Sequence, residues 1–259
     1  MKVLDRFRLD GRRALVTGAS RGLGWEMARA LGEAGAEVVL AARSAEALRQ
    51  RQQALATAGI RAAALAADLE TPDGAEQMCR EALSEHGPID ILVNNVGGRR
   101  INVATEELAT ADWQRIIDLN LTQAFITTRM LGGAMLERGW GRVINVSSIS
   151  AQWAGRAMRG RSYETAKAAL SMFTKAVAAD WATRGVTVNA IAPGSFLTDA
   201  NRRWIAERPE LQTEIESAIP MGRWGEPEEI GPLAVYLASP ASSYMTGSVI
   251  VLDGGRLLW

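Results

Sequence analysis

Cysteine occurs once in this 259-residue sequence, at position 79, and histidine once, at position 86. A single cysteine excludes an internal disulfide framework and a multi-cysteine metal site. A single histidine leaves no basis for a histidine-rich zinc site, so no metal is expected. Neither sign of charge dominates, because 29 basic residues balance 29 acidic ones. That argues against a nucleic-acid binder relying on bulk charge. One uncharged stretch, Ile230–Leu252, is long enough to span a bilayer. Pro232, Pro240, Ser242, Ser243 and Gly247 interrupt it, and it reads as a helix, a turn and a strand. The charged start, Met1–Arg6, is followed by no apolar run of signal-peptide type. A soluble cytoplasmic protein with neither membrane nor nucleic-acid partner is expected.

Apolar material is plentiful, at 47% of residues, which suffices for a packed core. Short apolar runs at 13–17, 37–41, 62–66, 89–94, 142–146, 187–191 and 249–252 read as buried strands. Helical patterns at 25–34, 44–58, 72–85, 112–137, 163–184 and 228–238 lie between them. Strands alternating with helices imply a parallel sheet covered on both faces. The expected fold is a single doubly wound α/β Rossmann domain over residues 1–259, with a seven-stranded parallel sheet. Residues 195–220 break the pattern as a polar insertion with Trp204 and Pro209, and read as a lid over a site or as a surface excursion.

The first strand runs into Thr17-Gly18-Ala19-Ser20-Arg21-Gly22-Leu23-Gly24 and then a helix. Glycines there permit a tight turn and a close approach to a pyrophosphate, which the helix N-terminus faces with free N–H groups. An acid ending the second strand would hydrogen-bond the ribose 2′-OH of NAD(H), whereas arginine accommodates the 2′-phosphate of NADP(H). The second strand ends in Ala41-Ala42-Arg43-Ser44, with no acid, and Arg21 lies in the glycine turn. NADP(H) is therefore expected ahead of NAD(H). The alternative is that both arginines are merely solvated, since the chain has 26 arginines against 3 lysines.

Tyr163 and Lys167 stand four apart at the head of a helical pattern, hence on one face. An ammonium beside a phenol stabilises phenolate and lowers its ordinary value near 10. A phenol so tuned exchanges a proton with a substrate oxygen near neutral pH. Taken alone, such a pair is more often an ordinary surface pair.

From Thr17 to Gly255 the chain resembles the short-chain dehydrogenase/reductase family. The glycine turn, Asp68, Asn94-Asn95-Val96-Gly97, Asn120, Ser147-Ser148, Tyr163-x-x-x-Lys167, Pro193-Gly194 with Thr198, Gly225-x-Pro227-Glu228-Glu229-Ile230 and Asp253-Gly254-Gly255 follow in the family's order. The resemblance implies a nucleotide-dependent oxidoreductase that interconverts a ketone and a secondary alcohol. It implies Tyr163 as general acid/base, Lys167 as its tuner and a nicotinamide-ribose ligand, and Asn120 as holder of a relay water. A serine after the fifth strand would polarise the substrate carbonyl. Gly18, Ser20, Arg21, Gly22, Leu23, Gly24, Arg43, Asp68, Leu69, Asn94, Tyr163, Lys167, Pro193, Gly194 and Thr198 would bind cofactor. The overall layout is closest to 3-oxoacyl-carrier-protein reductases and sugar-acid dehydrogenases. A catabolic NAD(P)-dependent alcohol dehydrogenase and a catalytically silent nucleotide-binding regulator are the alternatives.

The family pattern leaves the serine open. Position after the fifth strand selects Ser148, and the usual gap to Tyr163 selects Ser150. We favour Ser148, because insertions settle in loops rather than strand ends. The lengthened loop carries Trp153, Arg156, Arg159 and Arg161. With Arg99 and Arg100 these form either a cationic patch for an anionic substrate or a solvated loop. Ser150, Trp153, Arg156 and Trp204 are the candidate substrate contacts. The family assembles through the helices after strands four and five, so a homodimer or homotetramer is expected, with the apolar Leu257-Leu258-Trp259 tail buried against a neighbour.

Overall fold

Strand β1 (Arg13–Thr17) is buried from its second residue onward, and its side chains alternate between two apolar layers. Leu15 points into one and Val16 into the other. The computed structural model that shows this describes residues 2–99, 101–155, 159 and 161–258. The remaining strands are β2 (Glu37–Ala42), β3 (Ala62–Ala66), β4 (Ile91–Asn94), β5 (Gly141–Val146), β6 (Val186–Pro193) and β7 (Val249–Leu252). Among the described residues they form one seven-stranded sheet in the order β3-β2-β1-β4-β5-β6-β7. Every pairing is parallel, with Val16 opposite Leu40 on one side and Val93 on the other.

Helices cover both faces. Helix α1 (Gly22–Glu33) brings Met27 and Leu31, and α9 (Gly231–Ala238) brings Leu237, onto the layer of Val16, Leu40 and Val93. On the opposite layer α3 (Pro72–His86), α5 (Gln123–Glu137) and α6 (Ser162–Trp181) pack Met78, Leu131 and Ala178 against Leu15, Val39 and Leu92. Ser44 caps α2 (Ala45–Thr57) and Thr71 caps α3, each through its hydroxyl. The sheet order reverses between β1 and β4, so the carboxyl ends of those strands open onto a crevice.

Two expectations change. The single helix expected over 112–137 is instead α4 (Thr110–Ile117), a π-helical turn at Asp118–Thr122, and then α5. The cause is the Asn120 side chain, which donates at 2.9 Å to the Ile116 carbonyl. A regular α-helix would fill that acceptor with the backbone N–H of residue 120. The polar insertion at 195–220 is also structured, as α7 (Asp199–Glu207) and α8 (Glu210–Ser217). Thr198 caps α7, while Leu211 and Ile219 are buried. Elsewhere the boundaries shift by a few residues, and α6 gives way to a 3-10 turn at Ala182–Arg184. Among the described residues, no helix is long and apolar enough to cross a membrane.

Candidate active site

The crevice is a cleft of ≈ 930 Å³ whose walls include Gly18, Ser20, Arg21, Gly22, Arg43, Asp68, Leu69 and Thr198. Gly18 has a φ of 68°, and a Cβ there would lie 2.7 Å from Asn95 Nδ2. Glycine is thus required twice over, by conformation and by space. Unlike α2 and α3, α1 has no side-chain cap at its N-terminus. Its first-turn N–H groups are therefore available to an anion. A Cβ on Gly22 would lie 3.5 Å from Thr198 Cγ2, so the glycine turn and the start of α7 face one another. An uncapped helix end beside a glycine-walled cleft fits the pyrophosphate of a dinucleotide.

Further along the cleft, Arg43 Nη1 donates to Glu70 Oε1 at 2.7 Å. Asp68 Oδ1 accepts the Glu70 N–H at 3.0 Å. Arg21 is exposed at the cleft edge. Arg51 reaches the same corner, donating to the Ser20 carbonyl at 3.1 Å while stacking on Trp25. Its place in the middle of an exposed helix gave no sign of this.

Some expected cofactor residues stand back from the cleft. Asn94 is 1% exposed and belongs to a buried network with Thr127, Thr128 and Asn145. Its neighbour Asn95 lines the cleft instead. Leu23 and Gly24 sit inside α1, where a Cβ on Gly24 would strike the Gly18 carbonyl. Pro193 ends β6, and Gly194 packs against Asp253. These residues shape the crevice rather than wall it.

At the inner end stand the four expected catalytic residues. Ser148, two residues past β5, faces the Tyr163 phenol and draws its ionisation down. Its Oγ also accepts the Ser150 N–H at 3.1 Å. Ser148 is therefore the serine that reaches the phenol, and Ser150 contributes backbone. Lys167 is 3% exposed, and its Nζ donates to the Val146 carbonyl at 2.7 Å. Burial pulls its pKa down to about 7. Asn120 clasps the loop after β4, accepting the Gly98 N–H at 2.9 Å and donating to its carbonyl at 3.1 Å. A Cβ on Gly97 would lie 2.7 Å from Asn120 Oδ1 and 3.0 Å from Lys167 Nζ. Gly97 is thus the wall between the cleft and those two groups.

The expected lowering of Tyr163 by Lys167 is not what this arrangement gives. Desolvation pushes the phenol above its ordinary value, and the Ser148 hydroxyl and the Arg99 charge only partly offset it. Lys167 Nζ is 5.9 Å from the ring centroid and turned toward Val146.

The substrate-side expectations are also modified. Arg99 and Arg161 both bind Glu164 instead of standing free as a cationic patch. Arg159 is exposed, and its N–H meets Asn102. Arg100 and Arg156 lie outside the described residues. Trp153 is 40% exposed beneath the Arg256 guanidinium, and Trp204 is half-buried in α7. Neither walls the cleft. Cys79 is buried, its thiol pushed up to about 12 by desolvation, which leaves it inert.

Comparison with known proteins points the same way. The family model described as enoyl-(acyl carrier protein) reductase matches residues 18–256. Galactitol 2-dehydrogenase (L-tagatose-forming) of Cereibacter sphaeroides is 41% identical over 98% of both chains. Gluconate 5-dehydrogenase of Gluconobacter oxydans is 37% identical over 97% of this chain and 96% of the relative. The crystal structure of a gluconate 5-dehydrogenase from Burkholderia cenocepacia, in complex with NADP and tartrate, superposes with a TM-score of 0.91 at 34% identity, covering 100% of each chain. Sequence, topology and site agree: the chain belongs to the short-chain dehydrogenase/reductase family and is an oxidoreductase acting on CH–OH donors.

Proposed function

We propose that the protein uses NADP(H) to interconvert a ketone and a secondary alcohol of a small polyhydroxylated compound, a polyol or a sugar acid, with Tyr163 as general acid/base. The observation that carries the reading is the Tyr163 phenol facing Ser148, with Lys167 buried behind it, beside a cleft of dinucleotide size. The substrate class is supported by the galactitol and gluconate dehydrogenases among the relatives.

The free N–H groups of α1 and the Ser20 turn would hold the pyrophosphate, Arg43 and Arg21 the 2′-phosphate, and Asp68 with Leu69 the adenosine end. The bound nucleotide supplies the hydride or removes it. In reduction, Ser148 hydrogen-bonds the substrate oxygen and Tyr163 delivers its phenolic proton to that atom. Burial keeps Tyr163 protonated at neutral pH, which suits this role. Burial pulls Lys167 down to about 7, so it gains and loses its proton close to neutrality. Oxidation needs the phenolate that burial opposes, so it is favoured at alkaline pH.

Helices α7 and α8 are proposed as a lid. Thr198 at the start of α7 already faces Gly22 of the nucleotide turn. Assembly into dimers or tetramers through α5 and α6 is supported by Phe125 and Met172, which are 44% and 64% exposed. A cytoplasmic setting fits the single unreactive cysteine.

The test is NADPH consumption against paired substrates: ketoses, keto-sugar acids and 3-oxoacyl thioesters. Turnover confined to the first two classes is expected. Turnover of thioesters alone would overturn the substrate assignment.

A further inference from the structure

The mechanism leaves a buried ion cluster beside Tyr163 unused. Glu164, the next residue, is only 8% exposed. A carboxylate at that depth stays ionised only when paired. Arg99, from the loop after β4, meets it with both terminal nitrogens, each 2.9 Å from a carboxylate oxygen. Arg161 adds a third contact at 3.2 Å. The result holds the Glu164 carboxyl below its ordinary range despite burial. Arg161 has a φ of 48°, a conformation costly for a residue with a Cβ. Two separate segments thus converge on one carboxylate. The guanidinium they fix lies 4.9 Å from the centre of the Tyr163 ring. A planar guanidinium held in that attitude suits an aromatic face.

We propose that Arg99 is a positioning residue for Tyr163: clamped by Glu164, its guanidinium lies against the phenol ring, fixes the ring's attitude toward Ser148 and keeps a positive charge beside the reacting oxygen. The proposal rests on Tyr163 being the general acid/base. Among the described residues, the groups facing the ring are Arg99 from the loop after β4, Ser148 from the end of β5, and Glu164 and Lys167 from α6, with Arg161 behind Glu164. Ser148 and Arg99 pull the phenol down, and Glu164 pushes it up. Lys167 is committed to Val146. Arg99 is then the cation that offsets burial, while Glu164 serves by geometry and against its own charge.

The chain has three tyrosines, so the ionisation of Tyr163 is read directly as the phenolate absorbance lost in Tyr163→Phe, without turnover. Arg99→Met is expected to move that ionisation up by about one pH unit, the scale for losing an opposite charge within 4–6 Å. It should also lower kcat for alcohol oxidation about tenfold near neutral pH, with KM for the nucleotide changed less than about threefold. Arg99→Lys keeps the charge but loses the fork, so the ionisation should stay near the parent's while kcat still falls. Arg99→Met combined with Glu164→Gln removes the pair without stranding a buried carboxylate, and should shift the ionisation in the same direction by less. An ionisation unmoved in both Arg99→Met and the double variant overturns the proposal, even if turnover is lost, because Arg99 is then merely structural. Turnover persisting in Tyr163→Phe would instead overturn the acid/base reading, with the titration still reporting what Arg99 does to the ring.

Discussion

Lys167 Nζ lies 5.9 Å from the centre of the Tyr163 ring and donates its 2.7 Å hydrogen bond to the Val146 carbonyl. The lysine is therefore anchored to the end of β5, one residue before the Ser147-Ser148 pair. Anchoring there fixes how far α6 slides along the sheet, and with it the height of Tyr163 above Ser148. The Ser147 and Ser171 hydroxyls, 2.7 Å apart and each within hydrogen-bond reach of the Lys167 carbonyl, reinforce the same join.

The buried lysine makes stability depend on pH. Its folded pKa is about 7, against about 10.4 in an unfolded chain. Between those values the unfolded state binds more protons, so stability rises with pH. Tyr163, shifted up, adds an opposite slope only above its unfolded value of about 10. Melting temperatures of the nucleotide-free protein and of Lys167→Met, measured from pH 6.5 to 9.5, should diverge as pH rises, in favour of the parent. Parallel curves would contradict the shift.

The two candidate serines separate cleanly by substitution. Ser148 reaches Tyr163, whereas Ser150 offers its backbone N–H. Ser148→Ala should lower kcat by roughly 10²–10³, the range for losing one donor to a developing oxyanion. Ser150→Ala should stay within about threefold. Steady-state kinetics of the two variants decide it, and the reverse order would contradict the placement.

Gly97 admits no side chain. A Cβ there would sit 2.7 Å from Asn120 Oδ1 and 3.0 Å from Lys167 Nζ. Gly97→Ala is expected to lower kcat at least about tenfold and cost roughly 1–3 kcal/mol, the range for overpacking. A melting curve and a kcat measurement check both parts. An unchanged kcat would show that the groups behind Gly97 do not depend on its place.

Arg43 should govern the choice of nucleotide. Its guanidinium is on the cleft wall and 51% exposed on its side chain. Arg43→Ala should weaken NADPH binding by about 10-fold or more, on the scale of one charge-assisted phosphate contact, and leave NADH binding nearly unchanged. Fluorescence titration with both nucleotides measures the ratio. Equal losses would remove Arg43 from the 2′-phosphate.

All seven strands were legible because each is an apolar run flanked by turn residues, as in Leu15-Val16 and Val38-Val39-Leu40. The glycine turn and the Tyr163–Lys167 spacing were legible because backbone conformation and helical period restrict which residues serve there. The π turn at Asp118–Thr122 was not, since no proline or glycine marks it and its cause is a side chain, Asn120, that takes the Ile116 carbonyl while also clasping Gly98 from another segment. Helices α7 and α8 escaped because they bury only Leu211, too little for an amphipathic stripe. The Arg99–Glu164 pair spans 65 residues, and nothing local distinguishes that arginine from the other 25.

The most direct test of the account compares NADPH-dependent reduction of a ketose or keto-sugar acid by the parent and by Tyr163→Phe, with NADPH binding measured on both. Removing the proton donor should cost about 10²–10⁴ in kcat while the dissociation constant for NADPH stays within about threefold. Turnover preserved in Tyr163→Phe would contradict the account, because the proton would then come from elsewhere.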